Sequence, residues 1–276
     1  QIFVLTIFIS LSGYVFRKLV INSNHSSKFE EDGLYGFVLV GFVSLLLNFL
    51  IPLNIFNNSL FFILIGLIGL YFGFFNQEKK LIFKKSFVIS LIAFVLIIYS
   101  SVNRPDAWLY HLPFSSILNE HKIILGVANI HERFAHISIF QYISSFFQNY
   151  IFLLNGILIP VSLAASFFFV YVFKEFNENF FSKFKAIYSY LCFLILVLSL
   201  YAFNRYSEYG NDAPSHLYYF FFTIVLLKYL LLKKSIETLK ELSVLSVFIF
   251  LMKPTFILVA LIPLFLFFNS NKKEKI

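Results

Sequence analysis

Long apolar runs, separated by short polar segments, make up most of this chain and restrict its fold more than any other feature. The runs are about 16 to 24 residues long, close to the length that a helix needs to cross the hydrocarbon core of a bilayer. Only 13% of the residues are charged, against about 25% in ordinary soluble domains. The sequence therefore predicts an all-α, polytopic integral membrane protein with about eight or nine hydrophobic helical segments.

We expect residues 1–276 to form a single transmembrane domain that is a fragment at both ends. The predicted apolar segments cover residues 1–16, 34–56, 59–75, 86–101, 150–173, 186–203, 215–232 and 242–268. The last segment is interrupted by Lys253 and Pro254, and proline cannot continue a helix without breaking its hydrogen bonding. A broken or re-entrant helix pair is therefore predicted there. A cation at that depth is expected to face a partner or a water-filled cavity. The structural alternatives for Lys253 are snorkelling and an ion pair with Asp212 or Glu208.

Lysine and arginine are distributed unevenly between the two sides of the predicted bundle. If the loops at residues 79–85, 174–185 and 233–240 share one side, that side collects 17 of the 22 basic residues. Basic loops stay on the cytoplasmic side of a membrane. This bias predicts a multi-pass protein of the plasma membrane whose polar loop at residues 102–149 faces outward.

The loop at residues 102–149 contains four of the six histidines together with several acidic and basic residues. Asn103 and Pro105 predict the start of a short amphipathic helix on the membrane surface. Asp106 and Tyr110 would share one face of it, whereas His111 would point about 140° away if the helix were regular. A membrane protein that gathers ionisable groups in one extramembrane loop is expected to do its chemistry there.

A second short helix is predicted in the same loop, over residues 130–140. Glu132 and His136 are four positions apart and would share a face, with Arg133 close to both. The pair Glu132 and Arg133 can either contact a ligand or form a local salt bridge that shapes the loop.

The stretches PDAWLYHLP, GVANIHERFAHIS, YGNDAPSH and KPT resemble a bacterial membrane family that is grouped with the GT-C glycosyltransferases and O-antigen polymerases. The resemblance covers residues 36–264. It implies a GT-C-like fold and a lipid-linked sugar donor such as a polyprenyl phosphate sugar. It also implies inverting transfer to a saccharide or lipid acceptor on the outer face of the bacterial inner membrane. In such enzymes an acidic residue of the first large outer loop is the base, which corresponds here to Asp106.

Glycosyl transfer needs a carboxylate that takes the acceptor proton and a cation that stabilises the phosphate leaving group. Asp106 is the candidate base, and Arg133 or Lys253 is the candidate cation. The other predicted substrate contacts are Tyr110, His111, His131, Glu132, Asp212 and His216. Asp106 has a structural alternative, because it can also cap a helix and pair with Arg104.

No cofactor is predicted. The loop histidines are ten, ten and five positions apart, unlike the close spacing of metal-binding histidines on one helix. A divalent ion bridging a pyrophosphate donor would have to be held by carboxylates, and no DxD motif is present.

Two alternatives to the glycosyltransferase stay open. One is a carrier or flippase for a lipid-linked saccharide, which the predicted helix break favours. The other is a non-catalytic membrane protein of envelope assembly. The net charge of +8 is explained by topology, and no nucleic-acid partner is predicted.

Overall fold

The computed structural model describes residues 1–22, 28–73, 79–99, 107–135, 138–180, 185–202, 205–206 and 210–273. All regular structure within these ranges is helical, which confirms the predicted all-α class. The α-helices are α1 (Ile2–Phe16), α2 (Phe29–Leu50), α3 (Ile55–Gly73), α4 (Lys79–Tyr99), α5 (Leu112–Glu120), α6 (Ile139–Phe146), α7 (Ile159–Phe180), α8 (Ala186–Tyr201), α9 (Asp212–Leu227), α10 (Ile236–Met252) and α11 (Leu261–Lys273).

Six helical segments in the described part of the chain are long and apolar enough to cross a membrane. They are Ile2–Ile21, Phe29–Leu50, Ile55–Phe72, Lys80–Ile98, Gly156–Phe180 and Asp212–Leu232. Two shorter apolar helices cover Ala186–Tyr201 and Pro254–Asn269. The structure thus supports a polytopic arrangement, with six segments of full length where about eight or nine were predicted from apolar runs.

Several helices extend further into charged sequence than predicted, among them α4, which begins at Lys79 and not at residue 86, and α10, which begins at Ile236 and not at residue 242. Helix α2 begins at Phe29, five residues before the predicted start, and includes the acidic residues 30–32 in its first turn. Helix α7 continues to Phe180, through a segment that was predicted as a charged turn. Acidic residues are favourable at a helix N-terminus, and the buried ion pairs described below neutralise the added charges.

Glycine residues allow α1 and α2 to approach closely. A Cβ atom on Gly13 would lie 1.8 Å from the backbone oxygen of Asp32, and one on Gly36 would lie 2.1 Å from that of Ile9. Small residues permit this kind of backbone contact between apolar helices. The contact places the first turn of α2 beside the end of α1.

Asparagine side chains connect the segment after α4 to the turn between α2 and α3. Asn48 Nδ2 donates to the backbone oxygen of His121 at 3.0 Å, and Asn58 Nδ2 donates to those of Ser145 and Gln148, both at 2.9 Å. These bonds satisfy backbone groups that have no partner within a helix. The polar loop is therefore fixed to one end of the helix bundle.

Helix α6 differs from the predicted surface helix of this loop. Residues Glu132–Ala135 form a separate 3-10 turn, and α6 begins at Ile139 with all of its residues buried. Helix α6 contacts α2, α3, α7 and α10. Ser145 Oγ donates to Asn119 Oδ1 at 2.6 Å, and Gln141 bonds to Ser138 and His111, so these polar groups of α6 have partners inside the protein.

The predicted helix break at Lys253 is present. Helix α10 ends at Met252, Lys253 is extended (φ −152°, ψ 108°), and a 3-10 segment over Pro254–Ala260 leads into α11. Helices α10 and α11 contact each other, so the chain turns back on itself after the break.

Candidate functional site

The candidate site lies at one end of the bundle, here called the loop end, which comprises residues 107–135, 138–150 and 210–216 together with Lys253. The predicted base Asp106 is outside the described residues, as are His136 and Glu208. The site is therefore built from the neighbours that the structure does describe.

Tyr110 and His111 form the centre of the loop end. Residues Ala107–His111 make a π-helical turn rather than the regular helix that was assumed, so the predicted 140° separation does not apply. The rings of Tyr110 and His111 are 4.1 Å apart between centroids. His111 is 4% exposed. Single π-helical turns occur frequently at functional sites.

A hydrogen-bond chain from the start of α6 orients the His111 ring. The Ser138 backbone N–H donates to Gln141 Oε1 at 3.0 Å, which fixes the orientation of the Gln141 amide. Gln141 Nε2 is then the donor to His111 Nδ1, at 3.1 Å. In the neutral ring the proton therefore lies on Nε2. Gln141 was not predicted as a site residue, although Ser138 and Gln141 have the spacing of a capping box.

The Nε2 side of His111 faces the second loop of this end. A Cβ atom on Gly210 would be 3.8 Å from His111 Nε2. The structure thus brings together two of the stretches singled out in the sequence, YHLP and YGNDAPSH. Gly210 is two positions before Asp212, so it connects His111 to a second polar pair.

Asp212 and Lys253 form that second pair. Lys253 Nζ lies 2.7 Å from Asp212 Oδ1, with the side chains 35% and 65% exposed. This is the ion pair that was predicted as the structural alternative for Lys253. An exposed pair of this kind contributes about 0–1 kcal/mol, so an anionic ligand can replace Asp212 at low cost.

Aromatic rings contact a further predicted residue, His216. The His216 ring lies edge-on to Phe256, at 6.3 Å between centroids, and Tyr219 stacks on Phe256 at 5.3 Å. His216 is exposed at the start of α9. Tyr219, Phe256 and His216 thus form a small cluster of rings at the start of α9.

The remaining predicted residues lie on the 3-10 turn at residues 132–135. The Arg133 guanidinium is 5.4 Å from the centre of the Tyr110 ring, a cation–π distance. His131 Nδ1 accepts the Arg133 backbone N–H at 3.2 Å, and its ring contacts Phe134. Glu132 is exposed. Arg133 is thus brought to the site, whereas His131 mainly shapes the turn.

The described ranges offer no candidate metal site. They contain no group of three or more His, Cys, Asp or Glu side chains that could hold an ion. The chemistry that the described residues can perform is hydrogen bonding by Tyr110 and His111 and charge neutralisation by Arg133 and Lys253.

A buried ion-pair network occupies the opposite end of the bundle, here called the basic end. Arg17, directly after α1, contacts three carboxylates. Its Nη1 is 2.8 Å from Asp32 and 3.6 Å from Glu31, and its Nη2 is 2.8 Å from Glu241. The guanidinium also lies 5.1 Å from the centre of the Tyr35 ring.

Glu175 is the second centre of the network. Its Oε1 accepts from Lys28 at 2.7 Å and lies 3.0 Å from Lys228, while Oε2 accepts from the Tyr188 hydroxyl at 2.7 Å. Burial lowers the pKa of Lys28, but Glu175 and its acidic neighbours outweigh this effect and raise that pKa above its usual value. Lys28 therefore remains charged.

Glu30 forms the third centre and is fully buried. Lys85 and Lys174 each approach it at 2.7 Å, one to each carboxylate oxygen. Together the three centres connect α2, α4, α7, α8 and α10 with the turns directly after α1 and α9. Their five buried acids are Glu30, Glu31, Asp32, Glu175 and Glu241, and their five bases are Arg17, Lys28, Lys85, Lys174 and Lys228.

Sequence reasoning assigned these charges to loops and missed the network. Its sequence signal is the acidic run at residues 30–32 directly before an apolar segment, together with lone acids at Glu175 and Glu241 beside other apolar segments. Buried charges are tolerated only when they are paired. If buried, each of these acids needs a basic partner elsewhere in the chain, and this is the signal that could have indicated the network.

The fold and its two polar ends define an all-helical protein with several helices that can cross a membrane. The chain belongs to the family described as Domain of unknown function (DUF8201), whose family model matches residues 1–276. No curated protein and no solved structure matches the chain.

Proposed function

We propose that the protein is a GT-C-type glycosyltransferase of the bacterial inner membrane that uses a polyprenyl phosphate sugar in cell-envelope glycan synthesis. The observation that carries the proposal is the proximity of Gly210 to His111, since a Cβ atom on Gly210 would lie 3.8 Å from His111 Nε2. It brings together PDAWLYHLP and YGNDAPSH, two of the stretches on which the resemblance rests, and the Asp212–Lys253 pair adds KPT. A GT-C-like arrangement of the helices belongs to the same proposal.

In the proposed reaction Asp106 removes the proton from an acceptor hydroxyl, whose oxygen attacks the anomeric carbon of the donor. The bond from that carbon to the phosphate oxygen breaks, and polyprenyl phosphate leaves with inversion at the anomeric carbon. Arg133 and Lys253 neutralise the leaving phosphate, which takes the place of Asp212 beside Lys253. Tyr110 and His111 donate hydrogen bonds to the sugar, and Glu132, His131 and His216 border the site.

The test of this function is transfer of a labelled sugar from polyprenyl phosphate to a glycan acceptor by the purified protein. Replacing His111 by alanine is expected to lower the rate of transfer about 2- to 12-fold, the equivalent of one neutral hydrogen bond. His121→Ala is the matched control, because His121 belongs to the same loop and its side chain is 58% exposed. Equal rates for the two variants would contradict the assigned role of His111.

The orientation of the bundle has a separate test, which follows from the lysine bias. Cysteines at Asn129 and Asn211 are expected to react with an impermeant thiol reagent in intact cells, and one at Glu178 is expected to react only after lysis. The native Cys192 is fully buried and gives no background. Labelling of Glu178→Cys from outside the cell would reverse the assigned sides.

The buried network favours a second candidate, a carrier for a lipid-linked saccharide. Charged groups inside a helix bundle are a common feature of transport pathways, and helix breaks are common in carriers. A carrier would move the lipid-linked saccharide across vesicle membranes without any loss of the sugar from its lipid. Transport with an intact donor would therefore replace the glycosyltransferase proposal.

A further inference from the structure

A cavity of about 210 Å³ opens within the basic end. Four cationic side chains line it, namely Arg17, Lys28, Lys228 and Lys233, against two carboxylates, Glu31 and Glu241. The lining therefore carries an excess of positive charge. Lys28 and Lys228 also contact Glu175, which does not line the cavity.

Arg17 has a hydrogen-bond donor that the network leaves without a partner. Its two terminal nitrogens contact Asp32 and Glu241, but Nε has no hydrogen-bond partner although the side chain is only 6% exposed. A buried donor without an acceptor costs about 1–3 kcal/mol. An anion in the cavity would supply that acceptor.

The N-terminus of α10 borders the same cavity. Ser235 is the N-cap of α10, and both Ser235 and Thr238 line the cavity. Ser235 Oγ already accepts the Thr238 backbone N–H at 3.1 Å, so the contribution of this helix end is its dipole, which favours an anion there. A cation would be repelled there by the helix dipole and by the four positive side chains.

We infer that this cavity binds a phosphate group at the basic end, either inorganic phosphate or the head group of an anionic phospholipid. Arg17 and the α10 N-terminus hold the phosphate inside, and Lys233 contacts it from the exposed rim. The site is separate from the loop end, so it stands whether or not the chain transfers sugars.

The test is equilibrium dialysis of the full chain in detergent against labelled inorganic phosphate at constant ionic strength. We expect saturable binding that Lys233→Gln weakens about three- to ten-fold, as for one charge-assisted contact at an exposed rim. Lys234→Gln is the matched control, because Lys234 is the exposed neighbour and does not line the cavity. Unfolding monitored through Cys192 verifies that both variants remain folded.

A second arm distinguishes the source of the phosphate. Short-chain phosphatidylglycerol and phosphatidylcholine are offered to the same variants, and bound lipid is counted by native mass spectrometry. Binding of phosphatidylglycerol alone, reduced in Lys233→Gln, would assign the site to a lipid head group, and binding of inorganic phosphate would assign it to the free ion. Absence of saturable binding by both, or equal weakening in the two lysine variants, would overturn the inference.

Discussion

Replacement of Asp106 by asparagine is expected to lower the rate of sugar transfer about 10²- to 10⁴-fold, the usual effect of removing a general base. The asparagine keeps the size and most hydrogen bonds of the side chain but cannot take a proton at neutral pH. The amount of folded protein and the affinity for the lipid donor are expected to change little. Rates come from the labelled-sugar assay, and donor affinity comes from binding of a polyprenyl phosphate analogue.

Glu120→Gln provides the control for this prediction. Glu120 belongs to the same loop, at the end of α5, and its side chain is 74% exposed. The control separates the loss of a particular base from the loss of negative charge in the loop. A normal rate in Asp106→Asn would leave Asp106 as a helix cap, and Glu132 would be the next carboxylate to test.

Arg17→Met is expected to destabilise the folded protein by about 3–5 kcal/mol, the range for breaking a buried ion pair from one side. The change removes the cation shared by Glu31, Asp32 and Glu241 and leaves buried carboxylates without it. Unfolding can be followed with a thiol-reactive dye, because Cys192 is fully buried and is the single cysteine of the chain. The dye signal is expected at a lower temperature than in the unchanged protein.

Two further variants show whether this loss comes from the buried network. Arg17→Lys keeps the charge but not the fork that binds two carboxylates, so an intermediate loss is expected. Glu178→Gln removes an acid that contacts Lys28 and Lys174, and the Glu178 side chain is 47% exposed. Ion pairs of such exposed groups contribute at most about 1 kcal/mol to stability. A stable Arg17→Met protein would show that the network contributes little to folding.

The helical class and the break at Lys253 followed from the sequence because both depend on local properties. Apolar run length predicts a membrane helix, and proline predicts where it ends. The true bounds of α2 and α7 did not follow, because their charged ends are neutralised by residues far away in the chain. Lys28 and Glu175, for example, are 147 positions apart.

Individual residues of the candidate site could be predicted from the sequence, but the contacts between them could not. Tyr110, His111 and Lys253 were recognised as unusual polar residues near apolar segments, but their partners required the fold. Gly210 lies beside His111 only because two loops meet at the same end of the bundle. Gln141 was missed as well: its capping-box spacing with Ser138 is visible in the sequence, but its bond to His111 is not.

The positions of the basic-end residues along the chain also determine the order in which their ion pairs can form during synthesis. Arg17 and Asp32 are 15 positions apart and can pair as soon as α1 and α2 are inserted, whereas Arg17 and Glu241 are 224 positions apart. Lys85 reaches Glu30 after α4 emerges, and Glu175 reaches Lys28 after α7. Arg17 therefore receives its last carboxylate only when α10 is made, and the early helices must persist in the membrane with an incomplete set of partners until then.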